Sequence, residues 1–442
     1  MLGSAKRPLL MGEIFVDFTL TDQGKENKLR LGGVTHAARG LWAEGRQFDA
    51  AVVLPTYLRK NAESYFKALG CVDFKVIAEV DSAPNVTIIR DASEVADQGY
   101  DTLLRNEKTI NHVQPSQLFE NQSVLIFPGS YDLEKGTSWL SNSASLIVDV
   151  AYDVENFEHL KVGRQLSAIL ISTSSELFTD VYGGQIEALK SAVMNIGASA
   201  LVFKENRGGS RLYDFQNRAE IPLYAQLGET ANSVGVGDVF ASSFLVHIEK
   251  GLEVAGYRAT AAATAYSRTT YPDDFKTQLN RYSKLSISEL RELGGVHLPW
   301  EARRKFDIYL AAPDFSYQDN PEIDRALESL EYHNFRIRRP VVENGELPTG
   351  STFGDLRKTF HADFDLLKGC AIVFAIPNSR DAGTLVEMGM AMSLGIPVIT
   401  FDPRKDAANT MVIAGSKTYS QSLDTCLNSV FTEISKIWTS CL

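Results

Sequence analysis

Asn232-Ser233-Val234-Gly235-Val236-Gly237-Asp238 runs directly into the apolar stretch Val239–Ile248, and this junction decides how the longer part of the chain is read. Glycines immediately before a helix let the backbone approach a ligand closely. The unpaired N–H groups of the first turn then face that ligand, with the positive end of the helix dipole behind them. Such a hole at Gly235, Val236 and Gly237 suits a phosphoryl group in transfer, whose charge must be neutralised as it moves. Asp238 is placed to accept the proton of an attacking hydroxyl. On these residues alone a plainer reading stands beside it: an Asp favoured at a helix start, and glycines that make a turn. No GxxxxGK[ST] occurs, so a Walker-type phosphate loop is not the alternative.

Outward from the junction, short apolar runs alternate with helical patterns. Strands are expected at Ala51–Leu54, Val124–Phe127, Leu146–Val150, Ala168–Ser172 and Leu201–Lys204, with helices such as Tyr57–Leu69 and Gly184–Asn195 between them. Continuous apolar strands separated by helices indicate a parallel sheet covered on both faces, an α/β class. A second cycle follows Trp300. Asp307–Ala311 reads as a strand, and Asn320-Pro321 as an N-cap with Pro at the first position of a helix reaching Tyr332. Phe335–Arg338, Ala371–Ile376 and Val398–Phe401 supply further strands, and Cys426–Trp438 a final helix. Ile287–Leu293 reads as a closing helix, with Gly294-Gly295 and the charged Glu301–Lys305 as linker. The boundary is placed near Pro299, giving domains 1–298 and 299–442, each a three-layer unit. A chain of 442 residues exceeds what one core usually serves.

The second chemical constellation lies in FHADFDLLKGCAIVFAIPNSRDAGTLVEMGMAMSLGIPVITFD, where Asp381 follows a strand and Glu387 sits on the next helix. Ligands of open α/β sheets lie beyond the carboxyl ends of the strands. A carboxylate on the first turn of a helix, kept ionised by the dipole, is a competent nucleophile toward an anomeric carbon. Two plainer readings remain open on spacing alone. Thr384-Leu385-Val386-Glu387 matches a capping box, and Asp381 fits an ordinary loop acid.

The totals exclude several classes. A net charge of -11 argues against wrapping nucleic acid, which needs a concentrated basic surface, yet leaves room for small anionic substrates. Cys71, Cys370, Cys426 and Cys441 are far apart and form no CxxC pair, and the seven His are scattered, so no disulfide framework and no transition-metal site is read. Lys6 and Arg7 precede an apolar run that Gly12, Glu13 and Asp17 interrupt, which does not fit a signal peptide. No apolar run is long enough to span a bilayer. A cytoplasmic protein without a membrane partner is expected.

Asn232–Asp238 resembles the DTxGAGD signature of the ribokinase (PfkB) carbohydrate kinase family, with Asn232 and Ser233 in place of Asp and Thr. Gly12 and Asp17, followed by Gly32-Gly33 and Ala38…Gly45, resemble the family's N-terminal substrate segment. There the resemblance implies that Asp17, Gly32, Gly33 and His36 contact substrate, His36 standing where an Asn is expected. Thr173-Ser174-Ser175-Glu176 occupies the place of the NxxE motif, which implies that Glu176 organises Mg²⁺ and its water shell. The similarity spans about residues 8–295 and implies a ribokinase-like fold using ATP and Mg²⁺.

From about residue 305 to 415 the chain resembles the nucleoside 2-deoxyribosyltransferase family. Tyr309-Leu310-Ala311-Ala312-Pro313 is similar to its YLAGP opening, DAGT at Asp381 to its DxGT, and VEMGMA at Glu387 to its ELGYA segment. The resemblance implies that Tyr309 orients the Glu387 nucleophile and that Asp363 and Asp381 contact the base. Asn409-Thr410-Met411 is similar to an NxM element that a neighbouring subunit donates to the sugar pocket, which implies a homo-oligomer. Ala371 departs from the family's usual Asp. A smaller flavodoxin- or Rossmann-like parallel sheet is the fold implied.

Together the two resemblances imply a bifunctional enzyme of nucleoside or nucleotide salvage, acting on a nucleoside, nucleotide or pentose. One domain phosphorylates a pentose or nucleoside hydroxyl, with Asp238 as base. The other cleaves or transfers an N-glycosidic bond through Glu387. The alternative is an N-glycosidase of nucleoside 5′-monophosphates whose kinase-fold domain only senses a nucleotide or sugar.

Overall fold

A computed structural model describes residues 7–20, 27–81, 86–97, 101–103, 109–121, 123–150, 154, 156–160 and 163–441; Lys6 lies outside them. The chain divides into two units. The first comprises Met1–Ser93, Gln98–Gln226 and Thr230–Gly295, the second Glu94–Asp97, Leu227–Glu229 and Val296–Leu442. The division falls before Val296, and two short segments, Glu94–Asp97 and Leu227–Glu229, group with the second unit.

In the first unit the opening strands are β1 (Leu9–Glu13), β2 (Val16–Thr19), β3 (Lys28–Leu31), β4 (Phe48–Leu54) and β5 (Cys71–Asp81). There follow β6 (Val86–Ile89), β7 (Asp101–Leu103), β8 (Thr109–His112), β9 (Ser123–Ile126) and β10 (Ser145–Val150). The last are β11 (Leu166–Ser172), β12 (Ala200–Lys204), β13 (Ser210–Asp214) and β14 (Ala219–Leu223). Ten of them form one sheet in the order β14-β13-β12-β11-β10-β9-β1-β4-β5-β8, and β3-β2-β6-β7 form a second, smaller sheet. From β12 to β5 the large sheet is parallel, with antiparallel strands only at its edges. All five strands expected from sequence are present. Their apolar runs are continuous because both faces are covered.

The helices of this unit are α1 (Val34–Ala43), α2 (Arg59–Ala68), α3 (Leu133–Thr137), α4 (Ile186–Asn195), α5 (Val236–His247), α6 (Leu252–Ser267), α7 (Pro272–Ser283) and α8 (Ile287–Glu292). One core joins Leu10, Val52, Leu125, Ile147, Leu170 and Val202 of the sheet to Ala37 and Leu41 of α1 and Phe240 and Phe244 of α5. Strand order reverses beside β1, between β9 and β4, the kind of switch point at whose carboxyl ends ligands of open α/β sheets lie.

The second unit holds α9 (Trp300–Arg303), α10 (Pro321–Tyr332), α11 (Pro340–Asn344), α12 (Phe353–Lys368), α13 (Ala382–Ser393), α14 (Thr410–Gly415) and α15 (Leu423–Ser440). Its strands are β15 (Asp307–Ala311), β16 (Arg336–Arg338), β17 (Ile372–Ala375), β18 (Val398–Phe401) and β19 (Thr418–Ser420). They form a wholly parallel sheet in the order β16-β15-β17-β18-β19, the 2-1-3-4-5 order of flavodoxin-like folds. Alternate residues face opposite layers. Ile308, Leu310, Phe374 and Ile399 pack with α10 and α15, while Tyr309, Ala311, Val373 and Val398 pack with α12 and α13.

Two local expectations need correction. Glu301–Lys305 is not linker: most of it is α9, where the fully buried Arg303 stacks on Trp300 and Phe431 at 5.2 and 4.9 Å. Asn320 precedes α10 but makes no side-chain cap, donating instead to the Pro313 carbonyl at 3.0 Å. Among the described residues no helix is long and apolar enough to cross a membrane.

Candidate functional site

In the first unit, Gly235 enters α5 in the left-handed region at φ 85°, packed so closely that a Cβ would overlap the His36 ring. No side chain caps α5. The Gly237 and Asp238 N–H groups therefore belong to a first turn that supplies them no intrahelical acceptor. A Cβ on Gly237 would lie 3.2 Å from the Lys204 ammonium, and both Asp149 carboxylate oxygens hold that ammonium, at 2.7 and 2.8 Å. Burial first, then the Asp149 charge, pushes the Asp238 carboxyl up to about 7, against the pull of Lys204. Asp238 is thus poised between acid and base near neutrality.

Asp17 on β2 meets this helix start through His36 and Arg30. His36 Nε2 lies 2.8 Å from the Asp17 carboxylate, and Arg30 Nε lies 3.4 Å from it. Arg39 donates to His36 Nδ1 at 2.9 Å, with the Tyr266 hydroxyl 3.0 Å from the same nitrogen. Nδ1 is thereby the acceptor, and Nε2–H donates to Asp17. Burial drops His36 to about 4, so the ring is neutral. Burial raises the Asp17 carboxyl, but His36, Arg30 and Arg39 together outweigh it and hold it below its ordinary range. Gly32 has no room for a side chain, because a Cβ would overlap the Asp17 carboxylate. Arg30 also donates to Asn232 Oδ1 at 3.2 Å, and Asn232 in turn donates to the Val234 carbonyl at 2.9 Å. Asn232, a departure from the family signature, therefore orders the loop into α5.

Glu176 stands apart from this group. It is exposed at the start of a wide helical turn, Leu177–Val181, and among the described residues no hydrogen bond joins it to Asp149, Lys204 or Asp238. The Thr173 hydroxyl nearby is buried without a partner. Asp149, Lys204, Arg30, Arg39 and Tyr266 were not expected from sequence. For the first two a signal exists: a charged residue at the carboxyl end of an otherwise apolar strand, as in LIVDV and LVFK.

In the second unit, Tyr309 is fully buried on β15 and its hydroxyl donates to Glu387 Oε1 at 2.7 Å. Ser379 and Arg380, left-handed at φ 56° and 57°, turn the chain after β17. The Ser379 N–H donates to Asp406 at 2.7 Å. Asp381 then caps α13, its Oδ2 accepting from the Thr384 N–H at 2.7 Å and from the Thr384 hydroxyl at 2.9 Å. The Thr384–Glu387 capping box does not form, because α13 starts at Ala382 and Glu387 falls in the second turn. The dipole does not keep Glu387 ionised there. Burial pushes its carboxyl up to about 7; the Tyr309 hydrogen bond opposes this, and the Asp363 and Asp381 charges add to it.

Burial also raises Asp363 on α12, offset in part by Asn344, which donates to it at 2.7 Å. Asp363, Asp381, Tyr309 and Glu387 thus form one group. Asn409 and Met411 do not join it: Asn409 caps α14 through the Met411 N–H at 2.9 Å, and Met411 is 78% exposed.

No curated protein matches the chain. Solved structures similar to it include Arabidopsis thaliana ribokinase complexed with ribose and ATP, at 14% identity and a TM-score of 0.46, covering 64% of this chain and 100% of that one. Burkholderia thailandensis nucleoside kinase in complex with inosine is similar at 14% identity and a TM-score of 0.47, covering 66% of this chain and 98% of that one. Residues 308–423 match the family model described as nucleoside 2-deoxyribosyltransferase, so the second unit carries a nucleoside 2-deoxyribosyltransferase domain.

Proposed function

We propose that the second unit cleaves or transfers the N-glycosidic bond of a nucleoside by double displacement, with Glu387 as nucleophile. The observation that carries this is the Tyr309–Glu387 hydrogen bond at 2.7 Å, which aims a half-buried carboxylate not engaged in capping its own helix. Glu387 attacks C1′ in its ionised form, and the base departs with a proton delivered through Asp381 and Asp363. A second base or a water then attacks the glycosyl-enzyme. The charged groups acting on Glu387 are the carboxylates Asp363 and Asp381. A phosphomonoester would add further negative charge to that group, which favours a nucleoside over a nucleoside 5′-monophosphate. The exposure of Met411 supports assigning Asn409 and Met411 to a neighbouring copy's pocket in a homo-oligomer.

For the first unit the proposal is ATP-dependent phosphorylation of a pentose or nucleoside hydroxyl. The bare α5 N-terminus and Lys204 fit phosphate oxygens, and Asp238 fits the base. Among the described residues no group of three or more His, Cys, Asp or Glu could hold a metal ion. Mg²⁺ would accordingly be held largely by phosphate oxygens and water, with Glu176 proposed for its water shell, and would supply charge neutralisation. Asp17 holds a substrate hydroxyl, itself held by His36 and Arg30. Incubation with a panel of nucleosides and their 5′-monophosphates, with and without ATP, tests both halves. Base release and ADP formation are expected; neither appearing across the panel contradicts the proposal. Added acceptor base separates a transferase, which makes a new nucleoside, from a hydrolase.

A further inference from the structure

β17 and β18 are neighbours in the parallel sheet of the second unit, and the loops at their carboxyl ends are tied together beside Asp381. After β17, Ser379 and Arg380 stand in succession in the left-handed region, at φ 56° and 57°. Neither is glycine, so the conformation is costly at both positions and persists only where its surroundings hold it. Both residues are exposed, so core packing is not what holds them.

The hold comes from the loop after β18. The Ser379 N–H donates to Asp406 Oδ2 at 2.7 Å, and Arg380 Nε donates to the Asp406 carbonyl at 2.5 Å. Asp406 is fixed in its turn by Asp402, which is fully buried and accepts from the N–H groups of Asp406 and Ala407 at 2.9 and 3.0 Å. The Tyr419 hydroxyl donates to the same Asp402 carboxylate at 2.7 Å. On the other side, the turn runs directly into Asp381, whose Oδ2 is occupied by the Thr384 N–H and hydroxyl. Beyond Asp381, α13 is anchored by its own buried Thr384, Met388 and Ala391. A loosened turn therefore moves Asp381 and leaves Glu387 in place.

We propose that Asp406 is a positioning residue for glycosidic cleavage: it holds the Ser379–Arg380 turn, and through it stations Asp381 to pass a proton to the departing base. This rests on the reading of Glu387 as nucleophile and of Asp381 as part of the proton route. Asp406 acts through the Ser379 N–H and not on the reacting atoms. In the step it serves, a Glu387 oxygen forms a bond to C1′ as the C1′–N bond breaks. The base nitrogen keeps that electron pair and takes the proton. A base that leaves without needing a proton is then indifferent to Asp406. An N7-methylated purine is such a base, because its ring already carries the positive charge that protonation would supply.

The test compares the full chain with Asp406→Ala, Asp406→Asn and Asp406→Ala/Ser379→Gly, with rates taken per folded chain from melting curves. Hydrogen exchange across residues 376–384 is read by mass spectrometry, without substrate. Base release is read on a purine nucleoside and on its N7-methyl counterpart. Asp406→Ala should speed the exchange and slow release from the ordinary nucleoside about tenfold or more, while the N7-methyl substrate stays within about twofold. Asp406→Asn keeps an oxygen acceptor for the Ser379 N–H and should stay within about threefold on both substrates. Ser379→Gly takes positive φ freely, so it should bring the Ala variant back to within about threefold of the wild type. Unchanged exchange in Asp406→Ala overturns the proposal. So does equal slowing of both substrates, or a rate that Ser379→Gly does not recover. A wild type that releases no base from any nucleoside sinks the reading of Glu387 instead, and the exchange data still decide whether Asp406 holds the turn.

Discussion

At Glu387 the cost of burying a charge competes with one phenolic hydrogen bond, and burial prevails, moving the carboxyl up to about 7. Since the attacking form is the carboxylate, kcat/KM for base release should rise with pH through about 7. Tyr309→Phe removes the bond that favours the ionised form. It should shift that limb to higher pH and lower the rate by roughly 10- to 100-fold, read from a pH–rate profile. The same elevation has a folding consequence. A carboxyl raised in the folded protein contributes stability below its unfolded pKa and loses it as pH rises through the folded value. Glu387→Gln should therefore melt higher than wild type at pH 8, by on the order of 1–2 kcal/mol, and show little difference at pH 4. It should also lose base release. Asp238 is raised to about 7 as well, so ADP formation should show its own acid limb there.

The helix α13 shows where local pattern stops being decisive. Asp381-Ala382-Gly383-Thr384 and Thr384-Leu385-Val386-Glu387 both read as helix starts, and sequence spacing does not choose between them. The choice is made by Ser379 and Arg380, whose left-handed turn after β17 brings Asp381 to the cap and leaves Glu387 a turn further along. Asp381→Ala should cost about 1 kcal/mol of stability in a denaturant titration, whereas Glu387→Ala should forfeit no cap. Elsewhere, continuous apolar runs such as those of β4, β11 and β12 were legible because both faces are buried. The small sheet β3-β2-β6-β7 was not: Lys28–Leu31 and Val16–Thr19 are short and mixed in polarity, and their partners lie far along the chain. In the first candidate site, Asp17, His36 and Asp238 were legible. Arg30 and Arg39 were not, because a surface Arg and a half-buried one look alike in sequence.

Across the whole molecule, two units with separate cores carry two separate constellations, one around Asp238 and one around Glu387. The two activities should accordingly be separable by substitution. Asp238→Asn should abolish ADP formation and leave base release within about twofold, and Glu387→Ala should do the reverse. A parallel sheet of β15 to β19 was implied by the resemblance of the second half, but its 2-1-3-4-5 order was not, because flavodoxin-like and Rossmann-like sheets differ in strand order. The central claim is that the Glu387 carboxylate bonds to a sugar carbon. The most direct measurement is intact-protein and peptide mass spectrometry after incubation with a 2′-fluoro nucleoside, whose fluorine slows both displacement steps. The account predicts a mass increase of one fluoroglycosyl group, localised to Glu387. Stoichiometric base release with an adduct on another residue would contradict it.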